Sequence, residues 1–350
     1  MTGKRPPSSS STPGRPLGRL IRRLGEDSQA ARSLVQGAFL VLCAWIGVEF
    51  ALFLRWGASG GSAGHVPHPA GAEGFLPISA LLSLKYWVVT GRIHGIHPAG
   101  LFIFIAVLAI GLLLSKAFCS WMCPVGTLSE WLWKLGRKAF GRSVQVPRLL
   151  DLPLRAVKYL TLGFFIWAVG KMDGPLLEAF LDSPFNALAD VRMYFFFAHI
   201  SGLALGVLLV LAGLSLLVQN VWCRYLCPYG ALLGLLSLAS PVRITRAKAT
   251  CIDCGACTRA CPSRIQVHRA GRVGGDECTA CYRCVAVCPV KDTLEMRAPG
   301  GKPVPGWVFG LLAAGLFVAV TGLAMLSGHW ATSLDRNDYL RLIPEAADRP

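Results

Sequence analysis

The sequence predicts an all-α polytopic membrane protein of about five transmembrane helices, the first four forming two parallel hairpin repeats, with a small α+β unit inserted before the last helix. Three observations predict it. Apolar residues make up 53% of the 350-residue chain against 15% charged, and they come in long blocks that a soluble core of this size does not show. A Cys-x3-Cys-Pro motif after one block, Cys119 to Pro124, recurs after another, Cys223 to Pro228. Between Cys251 and Pro289, eight cysteines stand in two identical runs.

In chain order, residues 1–33 are rich in Ser, Pro and Arg and read as a disordered basic tail. The blocks Leu34–Leu54, Ala99–Phe118, Ser201–Val218 and Val304–Leu326 suit a hydrocarbon core about 30 Å thick, which takes about 20 residues at 1.5 Å each. Tyr159–Val169 needs its flanks to do the same. The expected divisions are a four-helix membrane domain over 34–240, the inserted unit over 241–300, a fifth helix over 301–326 and an outer tail over 327–350. Phe75–Thr90 and residues 182–197 are apolar but read as helices lying along the interface.

Basic loops resist translocation, so lysines and arginines set the orientation. With the N terminus inside, 25 of the 35 fall in inner segments and 8 in outer ones, and Lys116 and Lys158 sit at the inner edge. Both Cys-Pro motifs and residues 221–303 then face the cytoplasm of a bacterial inner membrane, and the C-terminal tail faces the periplasm. The same asymmetry accounts for most of the net charge of +16, which removes the case for a nucleic-acid partner. Arg22-Arg23 serves as an orientation signal, since no small-residue cleavage site follows it.

Each cysteine run reads C-x2-C-x2-C-x3-C-P, the spacing of two-cluster bacterial ferredoxins, in which the fourth cysteine of one run ligates the other cluster. The expected ligands are Cys251, Cys254, Cys257 and Cys288 for one [4Fe-4S] cluster, and Cys278, Cys281, Cys284 and Cys261 for the second. Structural zinc is the weaker alternative for eight thiols in this register, and a reducing compartment excludes disulfides. Basic residues of the segment, among them Arg259, Arg264, Arg269 and Arg283, suit the anionic leaflet or an acidic redox partner.

The remaining motifs supply two cysteines each. LLLSKAFCSWMCPVGTL and LLVQNVWCRYLCPYGAL align as a repeat, which puts Cys119 with Cys123 and Cys223 with Cys227 on facing helix ends at one depth. Residues four apart share a helix face, so four thiolates converge there. A third iron-sulfur cluster is the sharper reading. A proline-ended helix whose cysteines merely pack, a thiol redox pair, and another metal stay open as alternatives. Cys43 reads as packing.

This set of motifs, over about residues 34–300, resembles the NapH-type and NosR-type membrane polyferredoxins. The resemblance implies a membrane electron carrier that takes electrons from quinol to another redox protein subunit, as a component of a quinol dehydrogenase. The large outer flavin-binding domain of NosR-type proteins has no counterpart before Leu34, so a stand-alone module with its flavin or catalytic subunit on another polypeptide is expected. For quinol, a base near neutral pKa is needed, and Glu49, His94, His97 and His199 are the candidates at the outer edge. Two of these histidines as b-haem ligands, or all four as plain interfacial hydrogen-bonding groups, are the alternatives. An assembly factor that reduces a metal or thiol, and a redox-sensing regulator, are the competing functions.

Overall fold

The structure, a computed structural model, describes residues 27–141 and 144–348. Helix α1, Ser28–Ala58, begins before the expected Leu34, because the Asp27 side chain accepts from Gln29 N at 2.8 Å and caps it. Such a cap contributes about 1 kcal/mol. The polar first turns are also buried: Arg32 and Gln36 both donate to the Ser120 carbonyl. Residues 28–33 are therefore helix and not tail, and the rest of the expected tail, 1–26, lies outside the described residues.

The other main helices are α2 (Pro77–Thr90), α3 (Pro98–Leu113), α4 (Pro124–Phe140), α5 (Arg148–Lys171), α6 (Gly202–Leu217), α7 (Pro228–Ser237), α8 (Gly306–Leu326) and α9 (Arg336–Asp348). Among the described residues α1, α5 and α8 are long and apolar enough to cross a membrane; α6 and the helix Ala189–Ala198, bent by 83°, reach that length only together, as a broken span or a re-entrant loop. The block Ala99–Phe118 does not run through. Helix α3 stops at Leu113, since Ser115 takes φ 56° and the chain turns. The short block at Tyr159 grows at both ends into α5, 24 residues long with Pro153 inside. Most of α6 is exposed apolar surface, including Leu203, Val207 and Val210, as befits a helix facing lipid.

The segment 327–350 carries α9, which buries Tyr339, Ile343 and Ala346 against Phe50, Phe53 and Trp56 at the end of α1. Gly57 permits this contact, because a Cβ there would collide with Ile343.

The inserted unit contains β1 (Arg243–Arg246) and β2 (Leu294–Arg297), paired antiparallel with Ile244 opposite Met296. Its core is continuous with that of the membrane domain. Trp121, Tyr282 and Phe309 meet with ring centroids 5.3 to 5.9 Å apart, joining the α3–α4 turn, the second cysteine run and α8. Of the three contacts, the edge-on Trp121–Tyr282 pair is of the kind that adds about 0.5–1.5 kcal/mol beyond burial.

Candidate metal centres

After α3, the five-residue helix Ala117–Trp121 carries Cys119, and Cys123 stands in extended conformation (φ −62°, ψ 121°) as the N-cap of α4. In the second copy a π-helical turn, Trp222–Leu226, carries Cys223, and Cys227 (φ −72°, ψ 108°) caps α7. Contrary to the expectation, the two cysteines of a motif therefore do not lie on one face of a continuous helix. Proline does not end the membrane helix here. It opens the next one at the first helical position, where its missing N–H costs nothing. The two copies share one local geometry: Cys123 N donates to Phe118 O and Cys227 N to Trp222 O, both at 2.9 Å and five residues back. A Cβ on Gly126 would collide with the Cys119 carbonyl oxygen, so the motif glycine lets the capped helix fold back over the first cysteine.

The turns bring Cys119, Cys123, Cys223 and Cys227 within electrostatic reach of one another. Gly230 N points at the Cys227 sulfur at 3.3 Å. The motifs lie beyond the ends of α3 and α6, and burial pushes the Cys119 thiol up to about 12 and Cys123 up to about 11. An exchange-active dithiol has the opposite profile, a lowered pKa. Two buried lysines stand beside the quartet, Lys116 at 3% and Lys158 at 0% exposure. Lys158 pairs with Glu277. Lys116 makes no ion pair among the described residues and only donates to the Asp276 carbonyl at 3.4 Å. The Asp276 carboxylate lies within electrostatic reach of Lys116 without pairing with it directly, and an anionic group held by four thiolates would add to its counter-charge. Tyr229, stacked on Phe104 at 5.7 Å, sits against the same thiols. Cys43, expected to be mere packing, lies near Cys123.

In the inserted unit, Cys251, Cys254, Cys257 and Cys288 line one cavity of about 370 Å³, and Cys261, Cys278, Cys281 and Cys284 line another of about 320 Å³. Each thus draws three cysteines from one run and the fourth from the other. Asp253 and Gly255 in the first loop, and Ala280 and Tyr282 at the matching places in the second, all take positive φ between 49° and 69°. Alternation into the left-handed region turns successive N–H groups inward as an anion nest. Tyr282 is bulky for that region, and its packing against Trp121 and Phe309 and its hydroxyl bond to Val304 O hold it there. The N–H groups of Ser263, Arg264 and Ile265 point at Cys261. Burial pushes the free Cys278 thiol up to about 12. Among the described residues no three His, Cys, Asp or Glu side chains converge tightly enough for a single ion. A cubane with one thiolate per iron holds its ligands further apart, and these residues fit it.

The two regions touch. Ser120 Oγ donates to Thr279 O at 2.5 Å, Trp121 Nε1 to Ala280 O at 3.0 Å and Gln29 Nε2 to Cys281 O at 2.9 Å. A cavity of about 580 Å³ runs between them, with Cys119 and Cys223 on one side and Cys281 on the other. On its wall Glu130 binds Arg32 at 2.6 Å, Arg283 at 2.7 Å and Lys134 at 2.8 Å. Burial works against its ionisation, but Arg32 and then Arg283 outweigh it and hold the carboxyl down at about 2.

Glu49, His94, His97 and His199 are not brought together. Glu49 lies half-buried in mid-α1, His94 meets Asp182 at 3.2 Å, and His199 is exposed and stacked on Phe195. His97 caps α3 beside Glu73, at 3.6 Å, with its other nitrogen 2.7 Å from Asn186 O. Next to it, His68 meets Asp190 at 2.6 Å and stacks on Tyr339. Glu73, His68 and Asp190 were missed by sequence reasoning. Acidic residues inside the apolar stretches AGAEGF and NALADV were the available signal.

The 4Fe-4S binding domain family matches this chain twice, over residues 96–143 and 199–246, once across each Cys-x3-Cys-Pro motif. The 4Fe-4S dicluster domain family matches residues 244–296. The chain is 42% identical over 340 residues, 95% of both chains, to the putative electron transport protein YccM of Escherichia coli. It is 32% identical over 172 residues to the regulatory protein NosR of Pseudomonas aeruginosa, covering 48% of this chain and 23% of that one. With the ferredoxin-type protein NapH of Haemophilus influenzae it shares 30% over 198 residues, 53% of this chain and 64% of that one. No solved structure matches.

Proposed function

The chain belongs to the NapH/NosR-like family of membrane polyferredoxins, and from that premise we propose that it passes electrons between the quinone pool and a respiratory redox partner through three [4Fe-4S] clusters on the cytoplasmic face. Cys251, Cys254, Cys257 and Cys288 hold the first, Cys261, Cys278, Cys281 and Cys284 the second, and Cys119, Cys123, Cys223 and Cys227 the third. When bound, each cluster supplies a one-electron carrier.

The observation that carries the reading is the grouping of four thiols from two repeat halves directly behind the loop 278–282. A packing role for those cysteines leaves Lys116 with no directly paired carboxylate and gives no reason for the repeated local geometry. The protein's own part is to hold thiolates at fixed spacing, to aim N–H groups at them, and to balance their charge with Lys116 and Lys158. Trp121, Tyr282 and Phe309 keep water from the contact between the regions.

The quinol-facing residues are reassigned. Helix α3, about 24 Å long by its rise, separates the His97 and His68 pairs from the cysteines, so these pairs anchor the far end of the bundle. In membranes containing the intact protein, added quinol should develop the electron paramagnetic resonance signals of reduced clusters within the turnover time. Clusters that dithionite reduces and quinol leaves oxidised point instead to a redox assembly or regulatory role, and NosR is a relative named for regulation.

A further inference from the structure

A groove of about 2850 Å³ opens between α4, the start of α5 and the inserted unit. Its floor includes Cys261, which belongs to one ferredoxin cavity, and His268, which lines the other. At its inner end Arg32, Arg224 and Arg283 are shared with the cavity that reaches Cys119 and Cys223. The groove therefore touches the walls of all three cysteine sites.

Its charge is one-sided. Nine lysines and arginines line it against a single acidic residue, Asp151, and Asp151 is already taken by Arg224 at 2.8 Å. The deep cations have carboxylate partners: Arg32 and Arg283 share Glu130, and Arg155 meets Glu277 at 3.2 Å. The cations at the mouth do not. Arg137, Arg259 and Arg269 are exposed and form no ion pair among the described residues. Generic attraction to a membrane surface needs basic residues only at the lipid level. It does not call for a deep groove floored by a cysteine of a cluster cavity.

We propose that this groove docks a soluble one-electron carrier with an acidic face, seated so that its redox centre faces Cys261 and His268. The proposal rests on the electron-transfer reading above. In the step itself one electron passes between the carrier's cofactor and a cluster, and no bond forms or breaks. An anionic lipid headgroup is the competing occupant. It is disfavoured because the inserted unit supplies one whole wall and the floor carries Cys261 of a cluster cavity.

The test uses the full-length protein in nanodiscs of neutral lipid, with flavodoxin as the acidic carrier and cytochrome c as a basic control. Binding is read by co-sedimentation, and cluster reduction by stopped-flow absorbance with pre-reduced carrier. Flavodoxin should bind, cytochrome c should not, and affinity and rate should fall about tenfold or more from low to physiological salt. The combined variant Arg137→Gln/Arg259→Gln/Arg269→Gln should lose about tenfold or more in both, with dithionite-reduced spectra and iron content as in the parent protein. A folded variant that binds flavodoxin as tightly as the parent, or equal binding of both carriers, overturns the docking site. So does flavodoxin binding that appears only when anionic lipid is added, which assigns the groove to lipid. Failure of dithionite to develop any cluster spectrum in the parent protein refutes the underlying reading instead, and salt-dependent flavodoxin binding survives or fails separately.

Discussion

The four-cysteine site at the membrane and the paired sites of the inserted unit both offer four thiols per cluster, but they are built in opposite ways. In the inserted unit, the ligands come from two short loops whose left-handed residues make their own anion nests, and Cys254 is exposed. At the membrane the four thiols come from two copies of a motif about a hundred residues apart, and two buried lysines on separate elements stand beside them. A loop-built site depends on local sequence. The repeat-built site depends on the packing of the whole bundle, and the predictions exploit that difference.

The largest expected effect is in the inserted unit. Cys288→Ala should remove the cluster held by the first cysteine run and leave the second run's cluster in place, so about four irons are lost. Loss of the second run's signal instead would break the crossed pairing. Next comes Lys116→Met, which takes one of the two buried lysines from beside the membrane site alone and leaves Lys158 in place. With less positive charge beside it, that cluster's potential should fall or its resonance signal weaken while the other two titrate as before.

Glu130→Gln tests the contact between the regions. It strands Arg32 and Arg283 in the interior, and stability should fall by about 3 kcal/mol, seen as a lower thermal midpoint in detergent. The sign with pH follows from its lowered carboxyl. The contribution is fully present above the ordinary value of 4.5 and is lost as pH falls through about 2. The gap between parent and variant should therefore be constant at neutral pH and close only in strong acid. The smallest effect concerns exposure: in air the cluster beside Cys254 should decay before the other two, measured as the order in which the signals disappear.

The eight ferredoxin cysteines were legible because their ligation is written in spacing, and both cavities gather the cysteines that the spacing names. The apolar blocks of α1 and α8 were equally plain. The break after Leu113 was not, because Ser115 gives little sign of a left-handed turn. The N-cap role of Cys123 and Cys227 was missed for a related reason: C-P reads as a helix end, when proline suits the first turn of a new helix as well. Lys116 and Lys158 were counted as topology markers, and only packing reveals them as buried neighbours of the cysteines. The pairing of His97 with Glu73 rather than with His199 depends on where the segment before α2 folds back, and no periodicity in the sequence encodes that.

The central claim is that iron sits between the two Cys-x3-Cys-Pro motifs, and the most direct measurement is the iron and acid-labile sulfide content of anaerobically purified protein beside its Cys119→Ala/Cys223→Ala variant. Three clusters predict about 12 irons per chain, falling to about 8 in the variant with the ferredoxin signals intact. About 8 irons in both proteins would contradict it.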